Sequence, residues 1–386
     1  MRLIGKLPAA LFLLAAATAF GDAALAKTPA ADFDRLVQEA AQDVMQQYGV
    51  PGLAIAISAN GQQRFYNYGL ASKATRQPVT RDTLFEVGSI SKTFTATLAT
   101  YAQATGHLSL DASPGHYLTQ LQGSALDKVT LLNLGTHTAG GFPLQLPDSV
   151  QDTEQLLDYF KTWQPHYAPG THRTYANPSI GLLGMIAAQR LQVPYETAME
   201  QQLFPKLGMP NSFIDIPASK QPLYAQGYNK QDTPVRVSPG VLAAEAYGVK
   251  TSSRDLIRFI DANMRLAPID ATLQRALKDT HIGYYSAGPM TQDLIWEQYA
   301  YPVALETLLE GNSDKMAFET NVATELNPPL PPQDAVWINK TGATNGFGAY
   351  VAFIPAQKRG IVLLANKNYP NEARIQLAYR ILKALD

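Results

Sequence analysis

Phe33, Leu36, Val37, Ala40, Val44 and Met45 recur at intervals of three and four residues, which predicts an amphipathic helix over residues 31–48. Pro51 and Gly52 end it. Residues 53–58 and 63–68 are short runs on either side of Asn60-Gly61, a strong hairpin-turn pair, and read as paired strands. Residues 83–88 lead into a helix expected to open at Ser89 and stop at Gly106. Helical spacing then dominates to about residue 265, with helices expected at 130–134, 153–163, 180–191, 195–207 and 253–264. The tract 327–332, Asn-Pro-Pro-Leu-Pro-Pro, reads as a loop because proline brings no N–H to a helix or ladder. Three apolar runs come after it at 336–341, 348–354 and 360–365, the last two joined by a turn at 357–360. A closing helix would bury Ile375, Ala378, Tyr379, Leu382 and Leu385.

Helix and strands first, helices between, strands and helix last: this order predicts an α+β fold. One antiparallel sheet would be flanked by the terminal helices, with an all-helical domain inserted. The expected division is 27–88 with 266–386 for the α/β part and 89–265 for the helical part. Residues 1–26 stand apart. Arg2 and Lys6 are basic, residues 7–20 are apolar, and Ala24-Leu25-Ala26 is a small-x-small site, the pattern of a cleavable export signal. The apolar run is shorter than the roughly 20 residues that span a bilayer, so the expectation is a soluble periplasmic protein cleaved after Ala26, with no membrane span in its mature form.

Composition narrows the chemistry. Without Arg2, Lys6 and Asp22, the 31 basic and 32 acidic residues become 29 and 31, and no basic stripe points to nucleic acid. There is no cysteine, which excludes disulfides, thiol catalysis and Cys-zinc sites. The six histidines form no H-x-H or H-E-x-x-H pair, so no metal is expected. No cofactor is expected either. With near-neutral charge and no coiled-coil pattern, a monomer is the default.

Ser89-Ile90-Ser91-Lys92 places a hydroxyl and an amine one helical turn apart, where an ammonium reaches a serine oxygen. About one chance S-x-x-K is expected in a chain this long, so the weight falls on two motifs later in the chain. Tyr175-Ala176-Asn177 precedes Pro178, a favourable helix start with Asn177 as N-cap, and would hold a phenol and an amide on a rigid turn. The same Y-x-N spacing occurs at Tyr369-Pro370-Asn371. Lys340-Thr341-Gly342 combines a cation, a hydroxyl and a glycine that lets a ligand approach the backbone.

S-x-x-K, Y-x-N and K-T-G in this order resemble the class C serine β-lactamases, within the penicillin-recognising enzymes. The resemblance extends over the mature chain through 85–89 (FEVGS), 144–147 (LQLP), 244–250 (AEAYGVK), 346–351 (GFGAYV) and 365–370 (ANKNYP). It implies a serine hydrolase that opens the β-lactam amide of penicillins and cephalosporins through an acyl-enzyme, a cephalosporinase-type activity that confers antibiotic resistance. Its site would lie between the two parts of the fold. By resemblance Ser89 is the nucleophile, Lys92 its helical partner, Tyr175 the proton-shuttling phenol and Lys340 a catalytic cation. The backbone N–H groups of Ser89 and Ala343 would form the oxyanion hole. Gln145 and Asn177 would bind the substrate's side-chain carbonyl, and Thr341, Gly342, Asn371 and Arg374 would face its carboxylate end. Asn345 stands where many members have glycine, which touches the substrate spectrum rather than the chemistry.

Three other readings share parts of this pattern: a DD-peptidase acting on peptidoglycan stem peptides, an S-x-x-K esterase, and a non-catalytic peptidoglycan-binding protein. The intact K-T-G opposes the esterase, and the full set of reactive groups opposes the binding protein. Expression in a Gram-negative host should yield a mature chain whose N-terminus is Lys27, read by intact-mass spectrometry of the periplasmic fraction. A chain retaining residues 1–26 would contradict the export reading.

Overall fold

The computed structural model describes residues 30–385, and the expected signal segment lies outside them. Its centre is a ten-stranded sheet in which every neighbouring pair is antiparallel. In chain order the strands are β1 (Gly52–Ala59), β2 (Gln62–Ser72), β3 (Gln77–Pro78), β4 (Gly283–Ala287), β5 (Met290–Gln292), β6 (Glu297–Ala300), β7 (Thr324–Leu330), β8 (Val336–Ala343), β9 (Gly348–Ile354) and β10 (Arg359–Ala365). Across the sheet they run β7-β4-β5-β6-β8-β9-β10-β1-β2-β3.

Period-two alternation sends the two faces of the central strands into different cores. Leu53, Ile55, Ile57, Tyr350, Ala352, Ile361 and Leu363 pack with the N-terminal helix Ala30–Tyr48 and the C-terminal helix Asn371–Lys383. Ala54, Ala56, Val351, Phe353, Val362 and Leu364 face the helical part instead. The helix Ser253–Asn263 lies directly on β1 and β10, whereas Ala271–Asp279 packs on the helix Ser91–Ala104. The Ser91–Ala104 helix is buried on nearly every side, which suits its small threonine and alanine residues.

The expected elements at 31–48, 53–58, 336–341, 348–354 and 360–365 lie within observed ones displaced by at most two residues at an end. Two parts of the sheet differ from the sequence reading. The proline tract is not all loop, because Asn327, Pro328, Pro329 and Leu330 belong to β7. That strand is the sheet edge and its register with β4 shifts between Gly283 and Tyr285, the positions where missing N–H groups are tolerated. The strands β4, β5 and β6 had no sequence counterpart; they are three to five residues long, too short for a clear alternation.

Phe94 shows how the serine helix is held. Its ring stacks on Phe259 at 4.2 Å and meets Phe204 edge-on at 5.5 Å. Phe94→Ala should destabilise the protein by about 3–5 kcal/mol, measured as a lowered midpoint in denaturant unfolding with unchanged slope.

Candidate active site

Two backbone segments meet where neither can carry a side chain. Gly88, at φ +51°, opens a 3₁₀ turn, Gly88–Ile90, that runs into the helix Ser91–Ala104. A Cβ on Gly88 would lie 2.4 Å from the Ala343 carbonyl oxygen and 2.5 Å from its nitrogen; one on Gly342 would lie 2.0 Å from the Val87 carbonyl oxygen. Only glycine permits both approaches. Strand β8 therefore rests against the serine turn and brings the Ala343 amide beside Ser89. The helix begins two residues later than expected, but Lys92 remains one turn beyond Ser89.

Lys92 is fully buried and donates to Ser89 Oγ and to the Ala246 carbonyl, each at 2.9 Å. Burial lowers its pKa; the Tyr175 phenol opposes that shift and Lys340 adds to it. Because Lys92 donates to Ser89, the serine's own proton must point elsewhere. Tyr175 sits between the two lysines, with each Nζ 5.1 Å from its ring centroid and the Arg173 guanidinium carbon at 5.6 Å. Its hydroxyl is buried and makes no well-formed hydrogen bond with the described residues, although Ser89 and Lys92 lie near enough to stabilise the phenolate. Burial alone would raise the phenol's pKa. The charges of Lys340 and Lys92 outweigh it and bring the value down to about 8.

Lys340 lies on β8 with its ammonium 3.4 Å from Glu297 on the paired strand β6. Burial pushes its pKa down, but Glu297 and Tyr175 prevail and raise it. Glu297 also takes Arg173 at 3.5 Å and accepts from the Asn339 amide at 3.1 Å. His137 packs tilted against Tyr175, ring centroids 4.4 Å apart, and burial together with Arg173, Lys92 and Lys340 holds its pKa well below the usual histidine value. Its Nδ1 accepts from the Ala176 N–H at 3.3 Å. Sequence reasoning missed Glu297, Arg173 and His137. Arg173 stands two residues before Tyr175, a spacing that offered a signal; Glu297 and His137 offered none.

Ser89, Tyr175, Lys340, Thr341, Gly342, Ala343, Gln145, Asn177 and Asn371 all line one groove of 700 Å³. Phe318, an exposed apolar ring, stands at its rim. Asn177 is not the N-cap: the helix Asn177–Arg190 starts with it, Ala176 holds the extended cap conformation, and the Asn177 side chain makes no capping bond. The Asn177 N–H is tied to the Leu144 carbonyl at 2.9 Å, while its buried Oδ1 has no partner among the described residues. That leaves an acceptor for a ligand beside Gln145.

Arg374 departs from its expected place. It is buried and does not line the groove; it donates to the Gly342 carbonyl at 2.9 Å, to Asn371 Oδ1 at 3.0 Å, and to the Tyr369 carbonyl. A Cβ on Gly348 would lie 2.8 Å from its Nη2, so it lies hard against β9 and holds the strand end and Asn371 from behind.

A Beta-lactamase family model matches residues 33–386. The chain is 51% identical over 371 residues to a beta-lactamase of Lysobacter lactamgenus, covering 96% of each. A beta-lactamase/D-alanine carboxypeptidase from Pseudomonas syringae superposes with a TM-score of 0.90 at 62% identity, covering 91% of this chain and 99% of that one. A class C beta-lactamase solved in complex with cefoxitin superposes with a TM-score of 0.90 at 53% identity, covering 92% and 99%.

The phenol gives a direct check on the electrostatics. In ¹³Cζ-tyrosine NMR, the resonance lost in Tyr175→Phe should titrate with a midpoint near 8. Lys340→Ala removes a cation that favours the phenolate, so that midpoint should rise toward the ordinary value of about 10. A midpoint unmoved by the substitution would show that Lys340 does not set it.

Proposed function

Because the chain belongs to the beta-lactamase family, we propose a division of labour for its groove. The protein is a class C serine β-lactamase, which hydrolyses the lactam amide through a serine acyl-enzyme. The single observation that carries the assignment of roles is the buried Tyr175 hydroxyl, set among Lys92, Lys340 and Ser89 and lowered in pKa to about 8.

Ser89 Oγ attacks the lactam carbonyl carbon while its proton passes to the Tyr175 oxygen. Oxyanion charge develops beside the Ser89 and Ala343 amides, where losing one donor of this kind costs about 100- to 1,000-fold in rate. The C–N bond then breaks as Tyr175 gives the proton to the ring nitrogen, leaving Ser89 esterified. Water attacks the ester as its proton goes to Tyr175, and the acyl C–O bond then breaks as Tyr175 returns that proton to the departing Ser89 Oγ. Lys92 keeps the serine oxygen in place and, with Lys340, favours the phenolate that each step requires. Gln145 and Asn177 suit the side-chain amide of the substrate, and Lys340, Thr341 and Asn371 its carboxylate end. Arg374 acts through Asn371 and Gly342 as a positioning residue.

We read the enzyme as exported to the periplasm and cleaved after Ala26, from the N-terminal charge and apolar pattern. We read the protein as a monomer from its near-neutral charge and the lack of a coiled-coil pattern in its sequence. Since the Pseudomonas syringae structure is named for both activities, D-alanine carboxypeptidase action is the second reading.

A chromogenic cephalosporin followed by colour and protein mass separates the two. Many rapid turnovers are expected; a long-lived adduct after one equivalent would instead favour the peptidase. Ser89→Ala should form no adduct, and Tyr175→Phe should lose about 100- to 10,000-fold in kcat. Near-normal turnover by Tyr175→Phe would remove the phenol from the mechanism.

A further inference from the structure

Charge is sorted along the groove in a way the reaction itself does not use. The hairpin of Gly227–Tyr228 and Pro234–Val235 lies beside the loop at 344–346. Tyr228 N–H donates to the Gly346 carbonyl at 3.3 Å, and a Cβ on Gly346 would lie 2.9 Å from Val235 Cγ1. This contact brings Arg236 and Asn345 to one rim of the groove, both exposed and both lining it.

Arg236 is a fixed cation. Its guanidinium carbon sits 3.9 Å from the Tyr224 ring centroid. Nη2 donates to the Tyr224 carbonyl at 2.9 Å and the Ala225 carbonyl at 3.3 Å, and Nε reaches Ala225 at 3.4 Å. These bonds leave Nη1 without a hydrogen-bond partner among the described residues. Glu86, buried under the same corner, is engaged by the Tyr224 hydroxyl at 2.5 Å, Val237 N–H at 2.8 Å and the Thr344 hydroxyl at 2.5 Å, and makes no ion pair with Arg236. Among the described residues, no acidic side chain lines the groove. Past Gln145, Asn177 and Tyr247, which it shares, a second hollow of 1060 Å³ opens; among the described residues no basic side chain lines it, and Asp148, Asp152 and Glu196 do, with Glu245 buried at its wall and raised by that burial to about 7. An anionic group entering here is repelled from one hollow and attracted to the other rim.

We infer that Arg236 and Asn345 form an anion-accepting subsite for the substrate's acyl side chain, one that favours β-lactams whose side chain carries a carboxylate or sulfonate over their neutral counterparts. The guanidinium offers a planar N–H donor and Asn345 an amide donor, a pair that suits a carboxylate. The comparison isolates this subsite from the Lys340 end of the same groove, because the ring carboxylate is common to both substrates compared. The inference rests on the β-lactamase reading and concerns its selectivity.

The test uses the full mature chain and two penicillins that differ only in a side-chain carboxylate against its carboxamide. The ratio of their kcat/KM values cancels what the shared nucleus contributes. The anionic member should be favoured about fivefold at low salt, the scale of an exposed ion pair. The preference should shrink toward one between about 0.02 and 0.5 M salt as the charges are screened. Arg236→Gln should bring the ratio to about one, Arg236→Glu should invert it, Arg236→Lys should keep part of it, and Asn345→Gly should reduce it. The salt series on the unaltered protein decides the matter even where a variant does not fold. A ratio at or below one that ignores salt overturns the subsite while leaving the lactamase reading intact. Absence of turnover with both penicillins overturns that reading, and the subsite with it.

Discussion

The site depends on one close approach of backbone to backbone. Gly88 and Gly342 remove two side chains at the point where the serine turn touches the end of β8, and the contact distances leave no room for a methyl group at either. Everything reactive depends on that contact. It sets the Ala343 amide beside Ser89, and the same strand carries Lys340 two positions before Gly342. Arg374 holds the Gly342 carbonyl from the far side, so the strand end is fixed from both directions. A nucleophile on a turn and an oxyanion donor on a strand thus share one rigid frame, which is what stabilisation of a transition state requires.

The second constraint is electrostatic. Lys92, Arg173 and Lys340 are all buried around one phenol, and a single carboxylate, Glu297, is shared between Arg173 and Lys340. An interior with three cations and one anion favours any nearby group that can become negative. Tyr175 is that group, and its lowered pKa is the result of the imbalance. Burial first, and the same cations second, keep His137 uncharged, so its imidazole can accept the Ala176 N–H and pack on the tyrosine ring without adding a fourth cation.

Much of this was legible before the structure, for reasons that differ by residue. Ser89 and Lys92 could be paired because helical geometry links i and i+3, although that spacing alone is a weak signal; the apolar strands 348–354 and 360–365 stood out because both their faces are buried. Tyr175 and Lys340 needed the order of the motifs. Glu297 did not show, since its role comes from cross-strand pairing with Asn339 and nothing local marks it. Asn177 looked like a helix cap because Asn-Pro is a good cap sequence; tertiary contact with Leu144 moved the cap to Ala176. Arg374 resembled a ligand residue by position, yet burial beneath β8 and β9 makes it a support. The edge strand β7 was hidden by its own prolines.

Those prolines have a consequence for how the molecule meets its neighbours. The sheet has two open margins, β7 and β3, and each contains proline: Pro328 and Pro329 at one, Pro78 at the other. A margin that lacks amide donors offers a poor template for a strand from another copy. β3 is moreover only two residues long, and β7 is irregular in register. A ten-stranded sheet that could otherwise grow by intermolecular pairing is therefore terminated at both ends, which guards a crowded population of these molecules against fibrous association.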